Sequence, residues 1–125
     1  MVDVVVGALV ADGRVLLGHR SPAKHVRPDV WDLPGGVVEA GESEMGALAR
    51  ELHEELGVRL ASDSVSHLGR VTAGHPEAPA MLSAWLIRAW QGTPANLAPE
   101  EHVAINWFDA QGLPSLAHEL LREAV

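Results

Sequence analysis

The hydrophobic and polar positions at the start of the chain predict a β-hairpin. Val2 to Ala11 is dominated by valine and other small apolar residues, which is typical of a strand buried on both faces. Asp12-Gly13 is a strong signal for a hairpin turn, and Arg14 to His19 is predicted to pair back as the second strand. The chain is therefore expected to begin with two antiparallel strands.

From Ser43 onward the apolar positions change to the spacing of a helix. Ser43 is suited to be the N-cap, and Gly57 stands where a left-handed C-terminal cap is expected. Between these two residues the pattern predicts one amphipathic helix. Its apolar stripe consists of residues three or four positions apart: Met45, Leu48, Ala49, Leu52 and Leu56.

The remaining segments predict three more strands and a second helix. The strands are Ser64 to Thr72, Ala80 to Trp90 and Val103 to Phe108, with a turn at His75 to Pro79, a loop at Gln91 to Pro99 and an amphipathic helix at Pro114 to Ala124. The order of strands, helix, strands and helix suits a mixed sheet with a helix packed on each face.

Length and composition are those of a single globular domain covering residues 1–125. Hydrophobic residues make up 47% of the chain, which leaves room for a proper core. No apolar run approaches the ~18 residues of a membrane span, and the N-terminus lacks a secretory signal pattern. The absence of cysteine excludes disulfides and thiolate metal sites, and it fits a cytoplasmic protein.

The net charge of −8 argues against binding to nucleic-acid duplexes or to acidic membranes. A polyphosphate substrate would also be repelled unless metal ions or a local basic patch intervened. Residues 13–28 are either a solvated loop or a basic rim that faces phosphate groups. They contain no acid and four of the nine cations: Arg14, Arg20, Lys24 and Arg27.

The predicted helix carries acids beside its apolar stripe. Glu51 and Glu55 are one turn apart on the same side, and Glu54 lies on the adjoining flank. Like charges at this spacing repel each other by a few tenths of a kcal/mol per pair. The helix therefore presents either a solvated acidic face or a site for a divalent cation, because carboxylate oxygens are the ligands that Mg²⁺ and Mn²⁺ prefer.

The segment 36–58 resembles the signature of the Nudix hydrolases without a single departure. That signature is a glycine, five residues, a glutamate, seven residues, Arg-Glu, an aliphatic residue, any residue, Glu-Glu, any residue, a glycine and an aliphatic residue. A tryptophan before Pro-Gly-Gly, here Trp31, is also frequent in MutT-like members. The fixed positions of the signature fall on Gly36, Glu42, Arg50, Glu51, Leu52, Glu54, Glu55, Gly57 and Val58.

The resemblance implies an α/β/α sandwich with a mixed sheet and a metal site on the helix. It implies that Glu51 and Glu55 are the principal metal ligands, that Glu54 ligates directly or through water, and that the Gly35 carbonyl adds a contact. Hard, water-retaining ions suit such ligands, so Mg²⁺ is the first candidate and Mn²⁺ the second.

Further roles follow from the same resemblance. Arg50 would orient a neighbouring glutamate, and Glu42 would hold the loop against the helix, so that a structural and a catalytic role remain open for both. Gly36 and Gly57 would be structural. His53 and His102 show no zinc spacing and are expected to be surface or packing residues.

The general base and the substrate contacts are less closely defined. Glu100 or Glu101 could take a proton from the attacking water, or both could be the acids of a helical first turn after Pro99. A base within the signature, Glu54, is the alternative. The residues expected to contact substrate are Arg20, Lys24 and Arg27 at phosphates, and Trp31 or Trp107 stacked on a nucleobase.

The reaction that the resemblance implies is hydrolysis of a nucleoside diphosphate linked to another group. The favoured substrate is a nucleoside triphosphate, including 8-oxo-dGTP, cleaved to the monophosphate and pyrophosphate. The alternatives are a catalytically silent module that senses a nucleotide, a hydrolase of ADP-ribose or other nucleotide conjugates, and an RNA-decapping enzyme, which the acidic balance disfavours. The oligomeric state cannot be predicted from the sequence.

Overall fold

The computed structural model describes residues 1–24 and 28–109. Helix α1 spans Glu44–Leu56, and a 3-10 turn spans Ser62–Ser64. The strands are β1 (Val2–Ala11), β2 (Arg14–Arg20), β3 (Trp31–Asp32), β4 (Gly35–Val37), β5 (Arg59–Leu60), β6 (Val65–His75), β7 (Ala78–Ile87), β8 (Trp90–Gln91) and β9 (His102–Asp109).

Strand β1 lies at the centre of a mixed sheet, which explains its continuous apolar run. It pairs in parallel with β7 and antiparallel with β2 and β4. On one side β2 continues the sheet to β3 and β9, and on the other side β7 continues it to β6. Within the described residues seven strands join this sheet, while β5 and β8 form a separate two-stranded ribbon.

Helix α1 packs on one face of this sheet. The Ser43 side chain accepts a hydrogen bond from the Gly46 N–H at 3.0 Å, and Gly57 ends the helix with a φ of 75°, as the sequence predicts. A Cβ at Gly7 would lie 2.8 Å from the Ile87 side chain and 3.0 Å from that of Leu48, so this glycine allows the helix to approach the sheet closely. The helix-side core comprises Val5, Leu9, Leu16, Ala47, Leu48, Leu52, Leu56, Val58 and Ile87.

Several element boundaries differ from the predicted ones. The turn predicted at His75 to Pro79 contracts to two residues, because His75 and Ala78 already pair in the β6–β7 hairpin. Strand β7 ends at Ile87, and Trp90 belongs instead to the ribbon, where it lies opposite Leu60. The apolar stripe of α1 also differs at one position. Ala47, which was not predicted to belong to it, is fully buried, whereas the predicted Ala49 is only half-buried.

The second predicted helix, Pro114 to Ala124, lies outside the described residues. Among the described residues, no helix is long and apolar enough to cross a membrane.

Candidate active site

Gly35 and Gly36 allow strand β4 to lie close to two other elements. A Cβ at Gly36 would lie 2.5 Å from the carboxyl carbon of Glu51, so only glycine leaves room for that side chain. A Cβ at Gly35 would lie 2.0 Å from the Val5 carbonyl oxygen of β1. The two glycines therefore place the β4 backbone directly beside the carboxylate of Glu51. The carbonyl of Gly35 as a metal contact stays a prediction.

Arg50 ties this loop to the helix. Its Nε and Nη2 donate to the two carboxylate oxygens of Glu42 at 2.7 and 3.0 Å, and its Nη1 donates to Glu51 Oε1 at 2.9 Å. Nη2 also donates to the Val37 carbonyl at 3.2 Å. Arginine suits this position because its planar fork can bind one carboxylate with two bonds and still reach a second one.

Arg50 and Glu42 each stabilise the charged form of the other. The hydrogen bond from Arg50, together with one from the Glu39 backbone N–H, lowers the pKa of Glu42 to about 2. The bond to Glu42 in turn raises the pKa of Arg50 above its ordinary value. Both groups remain charged at neutral pH, so the ion pair between Arg50 and Glu42 persists there.

Glu55 is the buried member of the acidic set, with 4% of its surface exposed. Burial, then a hydrogen bond with Glu51 and the negative charges of Glu51, Glu101 and Glu54, raise the pKa of Glu55 to about 9. Its Oε2 is buried and has no hydrogen-bond partner among the residues that the structure describes. The sequence pattern placed this residue beside the buried stripe, and the structure places it among the buried residues of the helix.

The loop between β8 and β9 brings Glu101 close enough to Glu55 for its charge to act on that residue. The Ala95 and Leu97 N–H groups donate to the Leu56 and Glu55 carbonyls at 3.0 and 2.9 Å, which fastens the loop to the end of α1. These bonds satisfy carbonyls that a helix end leaves without partners.

Glu101 is half-buried and Glu100 is exposed. Glu101 Oε2 lies 2.6 Å from Lys24 Nζ, and the Glu101 carbonyl accepts from the Ser21 N–H at 3.0 Å. Lys24, predicted to contact phosphate, is thus paired with one candidate base. Its role at phosphate remains a prediction.

These acids fit a divalent cation without forming a preassembled cage. Within residues 1–24 and 28–109, no three carboxylate or imidazole groups converge as a ready metal site. The fit rests on Glu55, whose unpartnered buried oxygen faces charge from three other glutamates. A hard cation would supply the missing positive charge, and oxygen donors of this kind are its preferred ligands.

The predicted base-stacking residues lie on opposite faces of the sheet. Trp31 stacks on His19 with ring centroids 4.9 Å apart and meets the edge of Phe108 at 5.0 Å. Trp107 instead stacks with Trp90 at 6.2 Å on the face that α1 covers. One nucleobase could therefore not contact both tryptophans. Arg27 lies outside the described residues, and the structure does not test Arg20 as a phosphate ligand.

Sequence patterns did not predict the contact that His102, the first residue of β9, makes with Glu55. It is 4% exposed and its Nδ1 lies 3.5 Å from Glu55 Oε1. Its contact is with a residue 47 positions earlier in the chain, so the spacing of hydrophobic residues within one element could not predict this contact.

The protein is a mixed sheet with a helix packed against it, and that helix carries a group of carboxylates oriented by Arg50. The chain belongs to the Nudix family, since the family model described as the NUDIX domain matches residues 1–124. It is a MutT-like Nudix hydrolase. Nudix hydrolases act on nucleotide substrates and generally use a divalent metal.

Relatives and solved structures agree with this assignment. The chain is 35% identical over 111 residues to the CTP pyrophosphohydrolase of Escherichia coli K12, covering 86% of this chain and 75% of that protein. It is 50% identical over 66 residues to a Mycobacterium tuberculosis protein described as "Putative 8-oxo-dGTP diphosphatase 2", covering 50% of this chain and 43% of that one. The crystal structure of a MutT NUDIX hydrolase from Burkholderia pseudomallei matches with a TM-score of 0.84 and 32% identity, over 98% of this chain and 94% of that one.

Glu54→Gln is expected to leave the Tm of the metal-free protein unchanged or to raise it. The Glu54 side chain is 59% exposed and lies 3.5 Å from Arg50 Nη1, a surface pair worth about 0–1 kcal/mol, and its removal relieves repulsion with the other glutamates. The same change should weaken the stabilisation by Mg²⁺ in thermal melts. A large fall in the metal-free Tm would show that Glu54 has a structural partner and would contradict this view.

Proposed function

We propose that this protein is a Mg²⁺-dependent pyrophosphohydrolase that cleaves a nucleoside triphosphate to the monophosphate and pyrophosphate, with residues 1–125 as one catalytic domain. The observation that carries the proposal is the complete Nudix signature, in which Glu51 and Glu54 lie close enough to the buried Glu55 to help raise its pKa. One relative, which this chain matches over 75% of that protein's length, is a CTP pyrophosphohydrolase, and this similarity supports a triphosphate substrate.

In this proposal Glu51, Glu54 and Glu55 hold the metal. When bound, Mg²⁺ neutralises phosphate charge and lowers the pKa of an attacking water. Arg50 keeps Glu51 in place through the 2.9 Å bond, and Glu101 takes the proton of the water. Lys24 and Arg20 contact the phosphates, so Lys24 exchanges its bond to Glu101 for a substrate oxygen.

A silent nucleotide-sensing module is the alternative from another functional class. It is disfavoured because a protein that no longer catalyses would not need a polar carboxyl group buried at Glu55, where burial is costly. The Arg50 clamp on Glu42 and Glu51 is likewise complete.

The test is a panel of nucleotides incubated with Mg²⁺ and scored for pyrophosphate and monophosphate. The panel holds CTP, dCTP, dGTP, 8-oxo-dGTP, ADP-ribose and an RNA with a 5′-triphosphate, and the Glu55→Gln variant is the control for contaminating activity. Release of pyrophosphate from a triphosphate supports the proposal. Cleavage of ADP-ribose or RNA alone would replace it with one of the other hydrolase classes, and no cleavage of any nucleotide would favour the silent module.

Binding of Mg²⁺ is expected to release about one proton between about pH 6 and 8. The pKa of Glu55 is about 9 in the absence of metal, so its carboxyl group is protonated over that range and must ionise to become a ligand. Metal affinity should therefore rise with pH until about pH 9. Calorimetric titration in two buffers of different ionisation enthalpy measures the released proton, and Glu55→Gln should release none. A wild-type titration without proton release would contradict the burial of a protonated Glu55.

A further inference from the structure

His102, which lies outside the Nudix signature, forms a buried pair with the signature residue Glu55. Each residue is 4% exposed, and His102 Nδ1 lies 3.5 Å from Glu55 Oε1. His102 Nδ1 and Glu55 Oε2 are both buried, and neither atom has a hydrogen-bond partner within residues 1–24 and 28–109. Burying an imidazole beside a carboxylate is costly unless the two groups interact, so a purely packing role would be served better by an apolar residue.

Strand β2 is shaped to receive this imidazole. A Cβ at Gly18 would lie 2.5 Å from His102 Cδ2 and 2.8 Å from its Nε2. Any other residue at position 18 would displace the ring and, with it, the nitrogen that faces Glu55.

The backbone on both sides of the pair is also fixed. The Asn96 side chain donates to the His102 carbonyl at 2.8 Å, and the His102 N–H donates to the Ala98 carbonyl at 3.0 Å. The Leu97 N–H donates to the Glu55 carbonyl at 2.9 Å. The loop therefore holds the imidazole at a set distance from the helical turn that carries Glu55.

We infer that His102 is a positioning residue for the metal site: when the divalent ion is bound, the His102 Nδ1–H closes the 3.5 Å separation to donate to Glu55 Oε1 and leaves Oε2 of that carboxylate to bind the ion. The inference rests on the proposed function only in taking Glu55 as a metal ligand. Partners of this kind fix the orientation of a ligand, and their loss typically weakens metal binding by about 10- to 100-fold.

The test compares two variants by the affinity of the nucleotide-free protein for Mn²⁺, measured from the electron paramagnetic resonance signal of the free ion. His102→Phe keeps a ring in the space beside Gly18 but removes the donor, and it should weaken Mn²⁺ binding by about 10- to 100-fold. His102→Asn keeps an N–H near the position of Nδ1 and should recover most of that affinity. His67→Gln, which removes an imidazole hydrogen-bonded to Ser83 instead, is the matched control and should bind Mn²⁺ as the wild type does.

Wild-type Mn²⁺ affinity in a folded His102→Phe protein would overturn the inference. Equal losses of affinity in the Phe and Asn variants, in proportion to their losses of Tm, would also overturn it, because they would reduce His102 to a packing residue.

A measurement on the unmutated protein keeps the test decisive if His102→Phe does not fold. In the Mg²⁺-loaded protein, ¹⁵N-histidine spectra should show the proton of His102 on Nδ1, and a bare Nδ1 would overturn the inference. These readouts need no nucleotide. A protein that binds Mn²⁺ through this pair but hydrolyses no member of the panel would therefore refute the proposed function and leave the inference standing.

Discussion

Glu55→Gln is expected to lower kcat by about 10³-fold or more while the protein stays folded. A metal at a phosphoryl centre supplies several kcal/mol of stabilisation to the transition state, and each ~1.4 kcal/mol corresponds to a factor of ten in rate. In the described part of the chain, the buried Oε2 of Glu55 has no hydrogen-bond partner, so the substitution removes the ligand atom that the fold leaves most available. The measurement is steady-state hydrolysis of the best triphosphate of the panel with saturating Mg²⁺.

The stability of the same variant separates metal loss from misfolding. Glutamine has nearly the shape of the protonated carboxyl group that Glu55 carries below its pKa of about 9, so the metal-free Tm near neutral pH should be unchanged or higher. As the pH rises from the ordinary carboxyl pKa towards 9, the unfolded chain ionises before the folded one. The wild type should therefore lose stability over that window, and the variant should lose less.

A matched control is Asp63→Asn, which removes an exposed acid from the 3-10 turn outside the cluster. It should keep wild-type kcat. Full hydrolysis by Glu55→Gln, or by the wild type in EDTA, would contradict the metal assignment.

Local sequence patterns were sufficient to predict the strands and the helix that carry the candidate active site. The continuous apolar run of β1 and the Asp12-Gly13 turn predicted the hairpin, and both turn residues have positive φ, at 52° and 73°. The caps at Ser43 and Gly57 predicted the limits of α1. These features depend on near neighbours in sequence, so period and cap residues are enough to identify them.

The electrostatic character of the site depends on contacts between distant parts of the chain. Spacing alone placed Glu51 and Glu55 on one side of a helix. The burial of Glu55 and its contact with His102 require the loop after β8 to be fastened to the helix end. In the same way Trp31 and Trp107 were interchangeable as stacking residues until β9 placed Trp107 and Phe108 on opposite faces.

Glu101→Gln is expected to lower kcat by about 10²- to 10⁴-fold with KM nearly unchanged, the range typical of a lost general base. Glu101 contributes to the field that raises the pKa of Glu55, so it lies close to the proposed metal, and its loop is fastened to α1. Glu100 is exposed, and Glu100→Gln should therefore remain near wild type.

The ion pair with Lys24 requires a control, because Glu101→Gln also removes the 2.6 Å contact that links the two loops. If that contact served only to hold the loop, Lys24→Met would reproduce the loss of kcat. If Glu101 takes the proton, Lys24→Met should act mainly on KM, through a lost phosphate contact, and change kcat far less than Glu101→Gln does. Single-turnover rates with the three variants, Glu101→Gln, Glu100→Gln and Lys24→Met, measure the difference. Should both glutamine variants keep more than about a tenth of wild-type kcat, the base would lie outside this loop, and Glu54 would be the next residue to test.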